Sequence, residues 1–194
     1  MRVNEIFYSI QGEGMHTGEA AIFVRFSGCN LECPFCDTEH LPYQEFTEDE
    51  IVSEISRYPA RLVVVTGGEP TLQLTMSLVD KIHKLGKYVA VETNGTRPIP
   101  YNVDWVTVSP KATFVGEAGM PVIKKAHEVK IVLDDLHTYD DPAFGIKADN
   151  YLVQPCDTTD EIRNKEIIKR CISFVEENPL WKLSLQIHKI LDIR

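Results

Sequence analysis

Cys29, Cys33 and Cys36 lie within the stretch SGCNLECPFCDTEH, residues 27 to 40, in the spacing C-x3-C-x2-C, and no fourth cysteine stands near them. Three thiolates can hold a metal centre while leaving one coordination position vacant. Two kinds of centre fit such a set. A structural zinc site takes four protein ligands, so it would have to recruit His40, or Cys156 from far along the chain. A [4Fe–4S] cube held by three thiolates instead leaves one iron open to an exogenous ligand. The spacing and the absent fourth cysteine favour the open cluster, because an open position is what a reactive centre requires.

The chain carries 20 basic and 29 acidic side chains over 194 residues, a formal net charge of -9. Sequence-independent grip on a phosphate backbone depends on clustered Lys and Arg, so nucleic acid is not an expected partner. The segment MRVNEIFYSIQGEG lacks the charged region and apolar run of a secretory signal, and no apolar stretch approaches membrane-spanning length. A cytoplasmic protein is expected. In a reducing compartment grouped cysteines serve as ligands or catalysts more often than as disulfides, and the odd total of five agrees. With 43% hydrophobic content and no repeat, low-complexity segment or linker, residues 1–194 read as one domain with one substantial core.

Six short, β-branched apolar runs are bounded by turn residues: AAIFVRFSG, RLVVVTGG, YVAVET, WVTVSP, HEVKIVL and YLVQP. They have the character of strands buried on both faces of a parallel sheet. TEDEIVSEISRY reads as a helix, with Thr47 and Glu50 at capping-box spacing ahead of a stripe through Ile51, Ile55 and Tyr58. A second helix reads from TLQLTMSLVDKIHKLG, capped at Gly86, and a third from TTDEIRNKEIIKRCISFVEENP, opened by Thr158 and Glu161. The recurring strand–helix–strand order predicts α/β architecture with right-handed crossovers, and the ligand site then lies at the C-terminal ends of the strands. SGCN, TGGEP, ETNGT, SPK and QPCD all fall at such ends, so they are expected to converge on one mouth.

The cysteine loop, with Phe35 just before the third cysteine, resembles the signature of the radical S-adenosylmethionine (SAM) superfamily. TGGEP resembles its second motif, whose backbone meets the SAM amino group. The resemblance implies an incomplete TIM-like barrel with about six parallel strands, a [4Fe–4S] cluster on Cys29, Cys33 and Cys36, and SAM chelated at the open iron. The wider set EIFYSIQGEG, VRFSGCNL, CDT, ETNG, SPK, QPCD and LQIHK is similar to the 7-carboxy-7-deazaguanine synthases over nearly the whole chain. That family converts 6-carboxy-5,6,7,8-tetrahydropterin to 7-carboxy-7-deazaguanine, expelling ammonia, on the way to queuosine and other deazapurines.

A pterin is a flat heterocycle edged with donors and acceptors, so its pocket needs fixed hydrogen-bonding partners. Gln11 and Glu13, beside Ile10 and among Gly12 and Gly14, offer an amide, a carboxylate and approachable backbone, and Glu13 is suited to a guanidine-like edge. Arg25 stands inside an apolar strand, where its charge must be paired or face a pocket. By resemblance, Thr66 meets substrate and Thr38 supplies a hydroxyl to Mg²⁺, with the substrate carboxylate as another ligand. SAM would lie against Phe35, Cys36 and Asp37, against Gly68, against Ser109, Pro110 and Lys111, and against the run Gln154, Pro155, Cys156 and Asp157. Glu92, Thr93 and Asn94 are further lining candidates. His188 and the carboxylate of Arg194 are placed near substrate, although the family pattern has Thr where this chain has Ile187.

Cys171, in a stripe with Ile167, Ile168, Ile172 and Val175, reads as a buried inert thiol. Cys156 sits at the site mouth without being read as a cluster ligand. Competing readings are a glycyl-radical activase, which leaves QGEG and SPK unexplained, a zinc-stabilised binding module without catalysis, and an Fe–S electron carrier, which would close its cluster with a fourth cysteine. The resemblance also implies a flavodoxin-like reductant and a homodimer, whose partner subunit would cover open strand edges.

Overall fold

Strand β2 (Ala20–Phe26) shows how the sequence builds both a core and a site. Successive side chains point to opposite faces. Ile22, Val24 and Phe26 pack outward with Ile51, Ile55, Leu78 and Ile82 of the covering helices, while Ala21 and Phe23 pack inward with Phe7, Leu62, Val64 and Ala90. The next inward position is Arg25, which reaches a cavity instead of a core.

The computed structural model describes residues 1–36, 38–39 and 42–193. In chain order the remaining strands are β1 (Arg2–Ile10), β3 (Gln44–Glu45), β4 (Leu62–Gly67), β5 (Tyr88–Thr93), β6 (Trp105–Val108), β7 (Lys125–Leu133), β8 (Lys147–Pro155) and β9 (Trp181–Leu183). Helices are α1 (Glu48–Ile55), α2 (Met76–Lys84), α3 (Ala112–Val115), α4 (Glu161–Glu177) and α5 (Ile187–Leu191). One sheet runs in the order β3-β1-β2-β4-β5-β6-β7-β8-β9. Every pairing from β2 to β9 is parallel, whereas β1 pairs antiparallel with β2 and β3 antiparallel with β1. The six predicted strands are all present and contiguous, β9 adds a seventh parallel one, and the unclosed order gives the incomplete barrel.

The capping box at Thr47 and Glu50 is formed, and α1 buries Ile51 and Ile55 completely. Each such side chain contributes about 1.5–3 kcal/mol relative to exposure. Gly86 follows α2 with φ 73°, the left-handed geometry that ends helices. Two local readings are corrected. The N-cap of α4 is Asp160, whose carboxylate accepts from the N–H groups of Ile162 and Arg163, while Thr158 is occupied by the Asn164 side chain. Only Ile167 and Cys171 of the apolar stripe on α4 are fully buried; Ile168 and Ile172 remain 36% and 43% exposed. The helix packs chiefly over β8 and β9 at the end of the sheet, which covers a narrow face.

Along β4, β5, β7 and β8 the inward positions change character towards the C-terminal ends. Leu62 and Val64 give way to Thr66, Ala90 to Glu92, and Leu152 to Gln154, and Lys130 projects from β7. The inner half of the barrel is therefore apolar at one end and polar at the mouth.

Candidate active site

The cysteine loop leaves β2 through Gly28, at φ 90°, and is held from beneath by the TGGEP turn. Gly68 N–H donates to Phe26 O at 3.1 Å and Glu69 N–H to Gly28 O at 2.9 Å. A Cβ on Gly68 would stand 2.2 Å from Gly28 O and 2.9 Å from Cys29 Cβ, so only glycine allows this approach. The fully buried Glu69 carboxylate accepts from Thr71 N–H and Oγ1, Thr93 Oγ1 and Asn94 N–H, tying the ends of β4 and β5 together.

Within the loop, Cys36 N–H donates to Cys33 O at 3.1 Å. Burial pushes the Cys29 and Cys33 thiols up; Glu69 and Cys36 add to the rise at Cys29, Cys29 and Cys36 add to it at Cys33, and Lys111 opposes the rise at Cys33. Metal ligation must displace those protons. The thiols are near enough to influence one another, yet among the described residues no three His, Cys, Asp or Glu converge on a single ion. Three thiols are the donors that iron–sulfur clusters take. Cys156 is buried with its Sγ directed to Asp157 O at 3.9 Å, and His40, the other zinc candidate, lies outside the described residues.

Lys111 stands beside the loop, its Nζ 5.5 Å from the centre of the Phe35 ring and donating to Ser109 Oγ at 2.6 Å. Burial pulls its ammonium down, and Cys33 works in the opposite direction. Phe35 packs edge-on against Phe114 with centroids 4.4 Å apart.

The opposite wall is polar and fully braced. Gln11 donates through Nε2 to Glu92 Oε1 at 2.8 Å and accepts from Glu13 N–H at 3.2 Å, which fixes its amide. Glu13 forms a buried ion pair with Lys130 and accepts from Gln186 Nε2 at 2.9 Å. Burial alone would raise the Glu13 carboxyl, but the Lys130 charge and the hydrogen bonds bring it down to about 2. Arg25 meets both expectations made for it: it faces the cavity and also pairs with Glu5 at 2.9 Å.

The C-terminal segment closes this wall. Ile187 N–H donates to Gly12 O at 3.0 Å, Ser184 Oγ donates to Gln154 Oε1 at 3.0 Å and accepts from Gly14 N–H at 3.1 Å, and Lys189 pairs with Asp157 at 2.8 Å. Between the two walls lies a cavity of about 300 Å³.

The family model for the radical SAM superfamily matches residues 23–141. The 7-carboxy-7-deazaguanine synthase of Bacteroides thetaiotaomicron is 46% identical, with 100% of this chain and 98% of that one aligned. This chain belongs to the 7-carboxy-7-deazaguanine synthase family. The Haemophilus influenzae 7-carboxy-7-deazaguanine synthase is 35% identical over 97% of this chain and 92% of its own. The crystal structure of QueE from Escherichia coli superposes with a TM-score of 0.75 at 28% identity, covering 95% of this chain and 93% of that one. Streptococcus suis SuiB bound to S-adenosylmethionine, at 13% identity and TM-score 0.52, shares the fold.

The residues that the family resemblance singles out come together almost completely. Ile10, Gln11, Gly12, Glu13, Arg25, Thr66 and His188 line the same cavity as Cys29, Cys33, Phe35, Cys36, Thr38 and Gly68. Ser109, Lys111, Gln154, Pro155, Cys156 and Asp157 complete it. Pro110 is the exception among the described residues: it is buried behind Ser109 and Lys111 and does not line the cavity. Asp37 and Arg194 lie outside the described residues. Lys130 and Thr107 also line the cavity and lie outside the 7-carboxy-7-deazaguanine synthase motifs; Gln186 lines it too and stands in LQIHK without a role having been assigned to it. Lys130 had a signal: Glu128 and Lys130 stand at alternate positions of the apolar run HEVKIVL, a pattern that puts two charges on one buried face.

Proposed function

We propose that this cavity converts 6-carboxy-5,6,7,8-tetrahydropterin to 7-carboxy-7-deazaguanine with loss of ammonia, the reaction of the family to which the chain belongs. The change removes one ammonia and is redox-neutral. The observation that carries the assignment is that the three-cysteine loop and the braced Gln11–Glu13 wall open onto one cavity. A metal-binding module without catalysis has no use for the second wall.

Cys29, Cys33 and Cys36 hold the [4Fe–4S] cluster, and SAM lies along Phe35, Asp37, Gly68, the Ser109–Lys111 run and Gln154–Asp157. When bound, the cluster and SAM together supply a 5′-deoxyadenosyl radical. The protein residues position and shield. Lys111 offers an ammonium for the SAM carboxylate, and its neighbour Ser109 steadies it. Glu13 accepts from the guanidine-like edge of the pterin through oxygens already fixed by Lys130 and Gln186. Gln11 and Thr66 serve further polar positions of the ring, with Ile10 and Gly12 giving close backbone approach. Arg25 meets the substrate carboxylate, which also joins Thr38 on Mg²⁺, a hard cation that takes few protein oxygens. His188 covers the ring, and the Arg194 carboxylate approaches the substrate.

Residues 1–194 act as one cytoplasmic domain that works as a homodimer with a flavodoxin-like reductant. Among the described residues no helix is long and apolar enough to cross a membrane.

The deciding experiment is anaerobic. Reconstituted protein with dithionite, SAM, Mg²⁺ and the pterin is expected to form 7-carboxy-7-deazaguanine by mass spectrometry, and Cys33→Ala to form none. Release of 5′-deoxyadenosine with the pterin unchanged would overturn the substrate assignment while leaving SAM chemistry in place.

A further inference from the structure

Lys130 is an ammonium held almost out of solvent, with its side chain 6% exposed, and it touches Glu13, itself 16% exposed. Two other carboxylates share its charge field. Glu128, two residues earlier on the same face of β7, accepts from Met15 N–H at 3.0 Å, and Glu92 holds Gln11. Lys111 is the further cation in electrostatic reach. A cation at this depth is costly unless its partners are strongly fixed, and an ion pair broken on one side leaves an uncompensated charge.

We propose that Lys130 is the positioning residue that keeps Glu13 charged and aimed into the cavity, and that the Glu13 and Glu92 carboxylates around this ammonium make the wall selective for ligands presenting an N–H donor edge. The inference rests on Glu13 meeting the aminopyrimidinone edge of the substrate. Lys130 sits on one carboxylate oxygen and Gln186 on the other, and Gln154 donates to the group as well, so of about four acceptor positions one remains for a ligand donor. The surplus of acceptors repels ring edges that present carbonyl oxygen or unprotonated nitrogen. Without Lys130, burial would drive Glu13 to take up a proton and turn an acceptor into a donor facing the ligand's donors.

The test compares Lys130→Met, Lys130→Arg and Glu13→Gln across a pH series, in the holoenzyme. The readouts are KM and kcat for the pterin, KM for SAM, and calorimetric affinity for 7-carboxy-7-deazaguanine, which carries the same donor edge and is not turned over. Lys130→Met is expected to weaken pterin and product roughly 10- to 100-fold at neutral pH, the range for a hydrogen bond to a charged group, with KM for SAM unchanged. Its affinity should recover as pH rises and Glu13 ionises again. Lys130→Arg retains most affinity, and Glu13→Gln matches Lys130→Met at neutral pH without recovering. Wild-type affinity in Lys130→Met beside a weakened Glu13→Gln would overturn the role of Lys130 and leave that of Glu13. An unaffected Glu13→Gln would overturn the Glu13 contact itself. A pH-independent loss in Lys130→Met that extends to SAM would mark Lys130 as a structural group and overturn the proposal. Should Lys130→Met not fold, the double variant Glu13→Gln/Lys130→Met decides: affinity equal to Glu13→Gln supports the proposal, and a further loss overturns it.

Discussion

His188 lies so close over Gly12 that a Cβ on that glycine would stand 2.3 Å from its Nδ1 and 2.7 Å from its backbone nitrogen. The contact involves backbone as well as ring, so rotating the imidazole cannot relieve it. Gly12→Ala is expected to push α5 outward and break the Ile187–Gly12 hydrogen bond. KM for the pterin should rise about tenfold, the equivalent of one lost hydrogen bond, while thermal unfolding moves little. Steady-state kinetics beside a thermal scan would show the split.

Glu69 is a second point of closure. Its carboxylate satisfies four donors from Thr71, Thr93 and Asn94 with no access to water. Glu69→Ala leaves those donors unpaired and should cost about 3 kcal/mol of unfolding free energy, read from urea denaturation.

The five cysteines should divide cleanly. Cys33→Ala is expected to abolish iron uptake and the brown colour of the reconstituted protein. Cys171→Ala should retain both and lose about 1 kcal/mol of stability, because that thiol only fills space between α4 and the sheet. Iron analysis and denaturation of the two variants test the division.

Asp157 carries a pH dependence. Its bonds from Lys189, Thr159 N–H and Asn164 hold the carboxyl down from 3.8 to about 2. A depressed acid stabilises the fold above its unfolded pKa, and the contribution is lost as pH falls through the folded value. Both partners are about one-third exposed, at 34% and 35%, so solvent screening limits the effect to about 0.5–1 kcal/mol. The stability gap between wild type and Asp157→Asn should therefore be constant above about pH 4 and close towards about pH 2, in urea titrations at successive pH values.

The parts of this molecule legible in sequence are those written locally. The cysteine spacing, the Thr47 capping box and the six β-branched runs each occupy a few consecutive residues, and the structure contains all of them. Strand β1 was less visible because it is a half-exposed antiparallel strand with a bulge between Val3 and Glu5, read as a motif and not as an element. Strand β9 has only three residues. The Glu13–Lys130 pair spans 117 positions and exists only because the β7 register and the curl of the sheet bring its members together. No local pattern encodes that meeting. Pro110 is buried in the loop after β6 while its neighbours Ser109 and Lys111 line the cavity, a difference that a run of consecutive motif residues does not reveal.

The bonds from Gly14 N–H to Ser184 Oγ and from Gln186 Nε2 to Glu13 span 170 and 173 positions and meet at one wall. During synthesis Glu13 and Gly14 leave the ribosome long before their partners, which are made 170 or more positions later. Sheet and helices can form in the meantime, since their neighbours are mostly close in sequence. Until Ser184 and Gln186 are in place, the Gly14 and Glu13 side of the cavity has no brace and stays open to solvent.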